Sequence, residues 1–395
     1  MLRASPPAAE RLSQLLSSSR LMTDLREDAS ASIAWLDKVA DLKPLGEEAL
    51  ASEVSSLLAR HADAVEAMRA VRYLRRRETL RTAMGWTLGI VTIEDTCAGL
   101  AAIDECTIGA ALQIALRELQ AAPEGSEPAE GEEAVGGKLL TRIAIIGMGR
   151  LGGAENGFGS DADVMFVHEP LESADEDAAQ EQAARIVNRT LALLKQPVKP
   201  PIRAERPLEV DADLRPEGKQ GAIVRSLDSY RSYYERWAET WEFQALTRAR
   251  LIGGDFELGE VFVELINPYR YPATFTPEQV QQIRRMKARV ENERMPHGAD
   301  RTRQLKLGRG GLSDVEWLVQ LLQLRHAHVV PGLRTTSTLK ALDAAGEAGV
   351  GGRGGGGGGF RGRRGAQWCM AARHEDSWRQ RATRRAPIRH PAIGS

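Results

Sequence analysis

The sequence lacks the features that mark secreted, disulfide-stabilised or membrane-spanning proteins. Three cysteines occur in 395 residues, Cys97, Cys106 and Cys369. Their wide spacing predicts neither a disulfide framework nor a zinc site. No apolar run approaches the ~20 residues that span a bilayer, and the first residues lack the apolar core of a signal peptide. We therefore expect a cytoplasmic protein with no membrane partner.

A charge excess of either sign is also missing. The chain has 53 Lys and Arg against 54 Asp and Glu, and its formal net charge is −1. Global charge therefore gives no reason to expect a nucleic-acid partner. The shares of 42% hydrophobic and 27% charged residues are typical of a globular protein, and the length allows two or three domains.

Composition and periodicity divide the chain into five segments. These are a helical region over 1–121, an acidic Gly/Pro linker over 122–138, a core over 139–255, a helical domain over 256–349 and a Gly/Arg-rich tail over 350–395. The linker and the tail lack apolar periodicity, so neither is expected to form a packed core. The tail could be a disordered basic segment, or it could contact RNA.

Secondary-structure signals predict an α+β fold, mostly helical around a small mixed sheet. β-branched runs predict strands over 142–147, 163–168 and 207–214. Helical spacing of apolar residues predicts helices over 28–39, 45–59, 72–89, 175–195, 228–250, 255–266, 277–294, 312–327 and 335–348.

Two groups of residues have both a structural and a functional interpretation. The arginines of the helix 72–89 could bind an anion, but a solvated helix face is the favoured interpretation; they are Arg72, Arg75, Arg76 and Arg77. The aromatic residues between 230 and 241 could stack on a base, but packing between domains is favoured; they are Tyr230, Tyr233, Tyr234, Trp237 and Trp241.

The most informative segment is GMGRLGGAENGFGSDAD, residues 147–163. Its first glycines match the dinucleotide fingerprint GxGxxG after a strand. A parallel crossover needs a dozen or more residues, mostly helical, whereas only eight residues separate Gly152 from Asp161, and no clear acid follows at the expected distance. The dinucleotide interpretation is therefore rejected.

The same glycines suit a phosphate chain. Gly147, Gly149, Gly152 and Gly153 would let backbone amides approach the anion, and a short helix opening there would direct its N–H groups at it. Alternate residues of a strand share a face, so Asp161 and Asp163 should project together. Two such carboxylates repel each other unless a cation lies between them, and Mg²⁺ prefers this donor type.

A further acidic run, LEVDAD at 208–213, would supply the remaining carboxylate. Asp211 or Asp213 could bind a second ion and accept the proton of an incoming hydroxyl. Arg215 and Lys219 could neutralise triphosphate charge. A solvated acidic edge is the alternative interpretation of this run.

The segment KLGRGGLSDVE, residues 306–316, joins a glycine loop to the start of a helix. A helix N-terminus is a favourable place for an anion, so Lys306 and Arg309 are candidates for nucleotide contact. A capped helix with a flexible loop before it is an equally acceptable interpretation.

Three long motifs resemble the glutamine synthetase adenylyltransferase family, within the DNA polymerase β-like nucleotidyltransferase superfamily. They are residues 142–170, 208–255 and 305–328. The resemblance is to the second, adenylylating half of actinobacterial members. It implies transfer of AMP from ATP to a tyrosine of glutamine synthetase, with Mg²⁺, in the control of nitrogen assimilation. The family is bifunctional and also removes AMP by phosphorolysis, and a PII signal protein is a further possible partner.

The resemblance also implies residue roles. Asp161, Asp163 and Asp211 would be the catalytic, metal-binding carboxylates, with Asp213 ranked below Asp211. The implied nucleotide-binding residues are Gly147, Gly149, Arg150, Gly152, Gly153, Ser160, Arg215, Gly218, Lys306 and Arg309, and Gly221 would help to close the turn after Arg215.

Two departures from the family bear on activity. By the resemblance, we expect that the half that removes AMP is missing. The Gly/Arg-rich tail stands where members continue with helices, which suggests a reading-frame slip near Gly349. The hypothesis of a reading-frame slip would be wrong if neither of the two other reading frames of the coding DNA continued the helical pattern. Uridylylation of a PII-type protein, and a truncated fragment that binds nucleotide without turnover, are the alternative functions.

Overall fold

The computed structural model describes residues 5–18, 30–121, 138–202, 205–295, 298, 300, 304–350 and 367. Most of the predicted linker, the tail from 351 (except Gln367) and Cys369 lie outside the described residues. In the described part, long helices surround one five-stranded sheet with both parallel and antiparallel pairings. The α+β prediction with a small mixed sheet is confirmed.

The N-terminal region is helical, with one departure from the prediction. Its α-helices are α1 (Pro6–Ser18), α2 (Glu47–Arg60), α3 (Ala64–Thr87) and α4 (Ile93–Ala121). The helix predicted over 28–39 is wrong, because short 3₁₀ helices occupy Ser30–Leu36 and Val39–Leu42. Asp63 begins α3 as its N-cap, accepting a hydrogen bond from the backbone N–H of Glu66 at 2.8 Å.

Helix α4 is the long apolar helix of the described structure. By length and composition it could cross a membrane, but 67% of its most apolar window is buried inside the protein. Ile108, Leu112 and Ile114 are completely or almost completely shielded from solvent. The helix is therefore a core helix, against which α2, α3, the helix 176–195 and the strand 250–254 pack. The expectation that no apolar run approaches membrane length is wrong for α4.

The sheet has the order β3-β2-β1-β5, and β4 pairs with β2 away from this path. Its strands are β1 (Thr141–Gly147), β2 (Ala162–Pro170), β3 (Val210–Asp211), β4 (Val224–Ser226) and β5 (Arg250–Gly254). Strands β1 and β2 are antiparallel, with Gly147 opposite Val164. Strand β2 runs parallel to β3 and β4. The first two strand predictions are confirmed within two residues.

Two sequence predictions near the sheet are wrong in extent. The strand predicted over 207–214 is only two residues long. The helix predicted over 228–250 is instead two helices, α7 (Leu227–Arg236) and α8 (Thr240–Leu246), followed by β5 at Arg250. Strand β5 forms because it pairs with β1, a contact between residues about 100 positions apart that local periodicity does not reveal.

The remaining helix predictions agree with the structure to within four residues at each end, except that the helix predicted over 72–89 begins eight residues earlier, at Ala64. A single turn, α5 (Gly149–Gly152), follows β1, and α6 (Glu176–Lys195) follows β2. After β5 come the four helices α9 (Phe256–Arg270), α10 (Pro277–Glu293), α11 (Leu312–His326) and α12 (Thr338–Glu347). A capping box between Thr276 and Gln279, with Pro277 at the first position, begins α10.

The arginine-rich face of α3 is not a solvated face. Arg72 is 4% exposed and donates from Nε and Nη2 to the two carboxylate oxygens of Glu205 at 2.5 and 2.8 Å. Arg75 donates to Asp104 at 2.8 Å. These pairs fix α3 against the segment that leads to β3 and against α4, so the favoured solvent-facing interpretation of this stripe is wrong for Arg72 and Arg75.

Candidate active site

The glycine turn between β1 and α5 is closely fitted to its surroundings. Gly149 has φ +52°, a backbone conformation that favours glycine, and a Cβ there would overlap the Oδ2 atom of Asp163. At Gly152 a Cβ would overlap the carbonyl oxygens of Arg248 and Gly147. The backbone N–H of Met148 donates to the carbonyl oxygen of Asp163 at 2.8 Å. The turn is therefore held directly against the start of β2.

Two of the predicted carboxylates lie side by side on neighbouring strands. The parallel pairing of β2 with β3 places Asp163 in register with Asp211. Burial and the negative charges of Asp211 and Asp161 raise the pKa of Asp163 to about 6. Asp211 Oδ1 accepts a hydrogen bond from the backbone N–H of Asp213 at 2.7 Å, which fixes the orientation of that carboxylate. The sheet thus concentrates negative charge beside the glycine turn.

The third carboxylate, Asp161, is more exposed and lies just before β2. It is near enough to raise the pKa of Asp163. Among the described residues, no three His, Cys, Asp or Glu side chains are grouped closely enough to hold a metal ion. The structure therefore brings Asp163 and Asp211 together in register, and Asp161 lies near Asp163 and lines one cavity with Asp211.

The donor set nevertheless suits Mg²⁺. This ion commonly takes one or two protein carboxylates and completes its shell with water and substrate phosphates. Asp163 and Asp211 supply two such carboxylates, and their mutual repulsion, expressed in the raised pKa of Asp163, is the condition that a cation relieves. The residues present fit the ion.

Positive side chains approach the same carboxylates. The charges of Lys306 and Arg150 each lower the pKa of Asp163, which places both near it although they are far apart in sequence. Arg150 Nη1 donates to Ser160 Oγ at 2.9 Å, and that hydroxyl also accepts from the backbone N–H of Gly157 at 2.9 Å. The sequence-predicted residues Arg150, Ser160 and Lys306 therefore surround the glycine turn.

Arg215 lines the same cavity as Asp161 and Asp211, but its guanidinium is largely occupied by backbone carbonyl groups. It is 9% exposed, and its guanidinium donates to the carbonyl oxygens of Ala212, Gly221 and Lys219 at 2.8, 3.0 and 3.3 Å. Gly218 adopts φ +57° within the turn that this side chain closes. Arg215 therefore shapes the loop after Asp211 and has few donors left for a phosphate.

The loop before α11 is stabilised by Asp314. One oxygen of this carboxylate accepts from the backbone N–H of Gly310 at 2.7 Å, and the other forms an ion pair with Lys287. The positive charge of Arg309 also helps to lower the pKa of Asp314, while Lys287 has a larger effect. Arg309 thus lies near Asp314, whereas Lys306 lies toward the carboxylate pair.

A buried ion pair that the sequence analysis did not single out supports the glycine turn. Glu155 and Arg248 are 6% and 4% exposed and form an ion pair. Glu155 also accepts from the backbone N–H and the hydroxyl of Thr338 at 2.6 and 2.8 Å, and Arg248 donates to the carbonyl oxygen of Thr336. The position of Glu155 just after Gly152, Gly153 and Ala154 was the available signal, but nothing local identifies its partners.

The aromatic residues mostly pack inside the protein. Tyr230 and Tyr234 are 0% and 4% exposed, and the Tyr230 ring contacts Phe262 edge-on, with 5.0 Å between ring centroids. The packing interpretation is confirmed for these two. Trp237, at 73% exposed, is not part of that packing.

A small mixed sheet that presents paired aspartates beside a glycine turn has the architecture expected of a nucleotidyltransferase core. Comparison with known families agrees. The family model for glutamate-ammonia ligase adenylyltransferase matches residues 9–264, and that for GlnD PII-uridylyltransferase matches residues 284–351.

Individual relatives give the same result. Proteins named bifunctional glutamine synthetase adenylyltransferase/adenylyl-removing enzyme are 47% identical to this chain in Leifsonia xyli and in Streptomyces avermitilis, and 44% identical in Mycobacterium tuberculosis. The matches cover 87%, 87% and 86% of this chain but 32%, 34% and 33% of those relatives. The chain belongs to the glutamate-ammonia ligase adenylyltransferase family, and it spans about a third of the length of these relatives.

Proposed function

We propose that this chain transfers AMP from ATP to a tyrosine of glutamine synthetase in the cytoplasm and so regulates nitrogen assimilation. The observation that carries the proposal is the alignment of Asp163 with Asp211 beside the glycine turn, in a chain of the adenylyltransferase family. The core would be residues 139–255, preceded by the helical region 1–121 and followed by the helical domain 256–349.

The carboxylates would bind Mg²⁺, with Asp163 and Asp211 as the principal ligands and Asp161 as the third. Bound Mg²⁺ supplies positive charge that offsets the negative charge of the reacting phosphates. Asp211, whose carboxylate is oriented by the backbone N–H of Asp213, would accept the proton of the attacking tyrosine hydroxyl.

The glycine turn would hold the triphosphate. The absence of Cβ atoms at Gly147, Gly149, Gly152 and Gly153 leaves the backbone amides accessible to phosphate oxygens. Arg150, fixed by Ser160, and Lys306 would offset phosphate charge from two sides. Arg215 and Gly218 would position the loop that follows Asp211, and Arg309 would contribute at the margin.

The test is incorporation of label from α-labelled ATP into glutamine synthetase. The wild-type chain should transfer AMP in the presence of Mg²⁺, and Asp163→Ala and Asp161→Ala should abolish transfer while leaving the fold intact. Glu209→Gln is the matched control, because its carboxylate is exposed and lies two residues before Asp211. An Asp163→Ala protein that still labels glutamine synthetase would refute the metal assignment, and the same result for Asp161→Ala would refute its role as the third ligand.

Uridylylation of a PII-type protein is the second candidate, because residues 284–351 match the GlnD PII-uridylyltransferase family model. Labelled UTP with a PII protein would distinguish it from adenylylation. Label from UTP alone would overturn our proposal. Stabilisation by Mg²⁺ and ATP without any transfer would instead indicate a fragment that binds nucleotide without turnover.

A further inference from the structure

A cavity separate from the carboxylate pair lies at the β5 edge of the sheet, at the opposite end of the strand order from β3. It is an open groove of about 540 Å³, within the size range of small-molecule sites. One part of its wall is basic and comes from the end of α9 and from the segment after Leu333. The residues that line this part are Ala249, Arg270, Tyr271, Arg334, Thr335 and Thr336.

Arg270 is a buried cation that has no carboxylate partner among the described residues. It is 7% exposed, and it donates from Nε to Asn267 Oδ1 and from Nη1 to the carbonyl oxygen of Ala249, both at 2.9 Å. Its Nη2 makes no hydrogen bond with any residue that the structure describes. Burial lowers the pKa of Arg270, consistent with a charge that no neighbouring anion compensates.

A second guanidinium lies at the same wall. Arg334 donates from Nε to the carbonyl oxygen of Ala327 at 2.9 Å and from Nη2 to that of His328 at 3.3 Å, and Nη1 has no partner within the described ranges. The guanidinium carbons of Arg270 and Arg334 lie 4.9 and 5.9 Å from the centroid of the Tyr271 ring. Both guanidinium groups therefore lie beside the same ring at the groove.

Two neighbouring guanidinium groups repel each other, and burying one without an anion is unfavourable. Each also keeps an N–H group that no described residue uses, and planar guanidinium donors match the oxygens of carboxylates and phosphates. We infer that this groove binds a small oxyanion, a carboxylate or a phosphate group, between Arg270 and Arg334.

The rest of the groove limits the size of the ligand. Glu47, Glu105 and Glu260 also line the groove, and Glu105 is already paired at 2.5 Å with Arg250, another lining residue. A polyanion that filled the groove would meet Glu47 and Glu260, whereas a single carboxylate or phosphate group held by Arg270 and Arg334 would meet less of that repulsion. The ligand is therefore a small anion and not a nucleic acid.

The site is separate from the carboxylate pair and does not depend on the proposed function. One residue connects the two regions: Thr336 lines the groove, and its carbonyl oxygen accepts from Arg248, the partner of Glu155 behind the glycine turn. An anion bound at the groove would therefore contact the segment that supports the turn.

The experiment measures the thermal midpoint (Tm) of unfolding of the full chain with inorganic phosphate or succinate, each at about 10 mM. Sodium chloride at the same ionic strength is the control. At least one oxyanion should raise the Tm by about 2 °C or more beyond sodium chloride. Arg334→Gln should lose most of that shift. Arg325→Gln, an exposed arginine outside the groove, should keep it.

Each outcome of this experiment supports or overturns the anion site. A shift with succinate alone assigns a carboxylate ligand, and a shift with phosphate alone assigns a phosphate ligand. No shift beyond sodium chloride, or equal shifts in Arg334→Gln and Arg325→Gln, would overturn the inference. Lys306→Gln separates this groove from the nucleotide site: a phosphate shift that disappears in Lys306→Gln and persists in Arg334→Gln also contradicts the groove. Because Arg334 is exposed, its replacement should leave the fold intact.

Discussion

At the scale of single residues, Asp163 shows how a site of this kind weakens the fold that carries it. Its pKa is raised to about 6 by burial and by the charges of Asp211 and Asp161. Near neutral pH the folded state must keep this carboxylate ionised, which is unfavourable without a cation. This unfavourable charge is confined to the side chain, because the backbone on both sides of Asp163 is held in the β2 pairings.

Replacing this charge should stabilise the metal-free protein. In EDTA at pH 7.5 we expect Asp163→Asn to raise the free energy of unfolding by about 3 kcal/mol, since a pKa displaced upward penalises the ionised folded state. The cost of ionising Asp163 in the folded state begins above pH 3.8, the ordinary pKa of an aspartate, and is fully present above pH 6. The stability gained by Asp163→Asn should therefore vanish near pH 4. Urea unfolding at both pH values measures it.

The control is Glu209→Gln, which removes an exposed charge nearby and should change the unfolding free energy by less than about 0.5 kcal/mol. Added Mg²⁺ should stabilise the wild-type chain and have no such effect on Asp163→Asn. An Asp163→Asn protein that is less stable than wild type at pH 7.5 would show that the carboxylate is not under this repulsion.

The two described cysteines should be unreactive in the folded protein. Burial raises the pKa of Cys97 to about 12 and that of Cys106 to about 11. The thiolate is the reactive form, and it becomes appreciable only as the pH approaches these values. Alkylation by iodoacetamide at pH 8, followed by peptide mass spectrometry, should modify both residues only after unfolding in urea. Rapid labelling of Cys97 under native conditions would contradict its burial.

At the scale of elements, the glycine turn depends on the absence of side chains at particular positions. A Cβ at Gly152 would overlap the carbonyl oxygens of Arg248 and Gly147, and backbone atoms cannot move aside as a flexible side chain can. We expect Gly152→Ala to lower the free energy of unfolding by about 1–3 kcal/mol and to reduce nucleotide transfer. Chemical denaturation and the label-transfer assay measure the two effects.

Gly109→Ala is the matched control for this substitution. Gly109 lies inside α4 with no atom within 4 Å of an added Cβ, so alanine there should stabilise the helix by about 0.5–1 kcal/mol. Equal effects of the two substitutions would mean that the turn at Gly152 is looser than the structure shows.

Element boundaries show where sequence reasoning succeeds and where it stops. Strand β1 and the helices α10 and α11 are predicted closely because their apolar spacing and caps are local signals. Strand β5 is missed because its sequence RLIGG continues a helix-like pattern and becomes a strand through pairing with β1. The stripe on α3 is misjudged because the partner of Arg72, Glu205, is 133 residues away.

At the scale of the whole molecule, the Glu155–Arg248 pair connects the core with the segment that begins α12. Glu155 is bound by Arg248 and by Thr338, so one buried carboxylate joins three parts of the chain. Removing one member of a buried ion pair leaves an uncompensated charge. We expect Glu155→Gln to lower the free energy of unfolding by about 3–5 kcal/mol and to expose α12 to proteolysis.

The comparison for that variant is Glu169→Gln. Glu169 also pairs with an arginine, Arg142 at 2.5 Å, but both side chains are about one third exposed, and such surface pairs contribute ~1 kcal/mol or less. Limited proteolysis and urea unfolding of both variants test the difference. Similar costs for Glu155→Gln and Glu169→Gln would show that the buried link does not hold α12 to the core.

The sequence by itself determined the chemical types present: a glycine turn, the aspartates at 161, 163 and 211, and the strands β1 and β2 on either side of the turn, because these follow from backbone freedom and local periodicity. Only the tertiary structure decided that Asp211 aligns with Asp163, that Lys306 approaches them, that Arg215 closes a loop, and that Glu155 pairs with Arg248. Those contacts join residues distant in sequence, and their energies arise from burial and charge proximity, which exist only after the chain has folded.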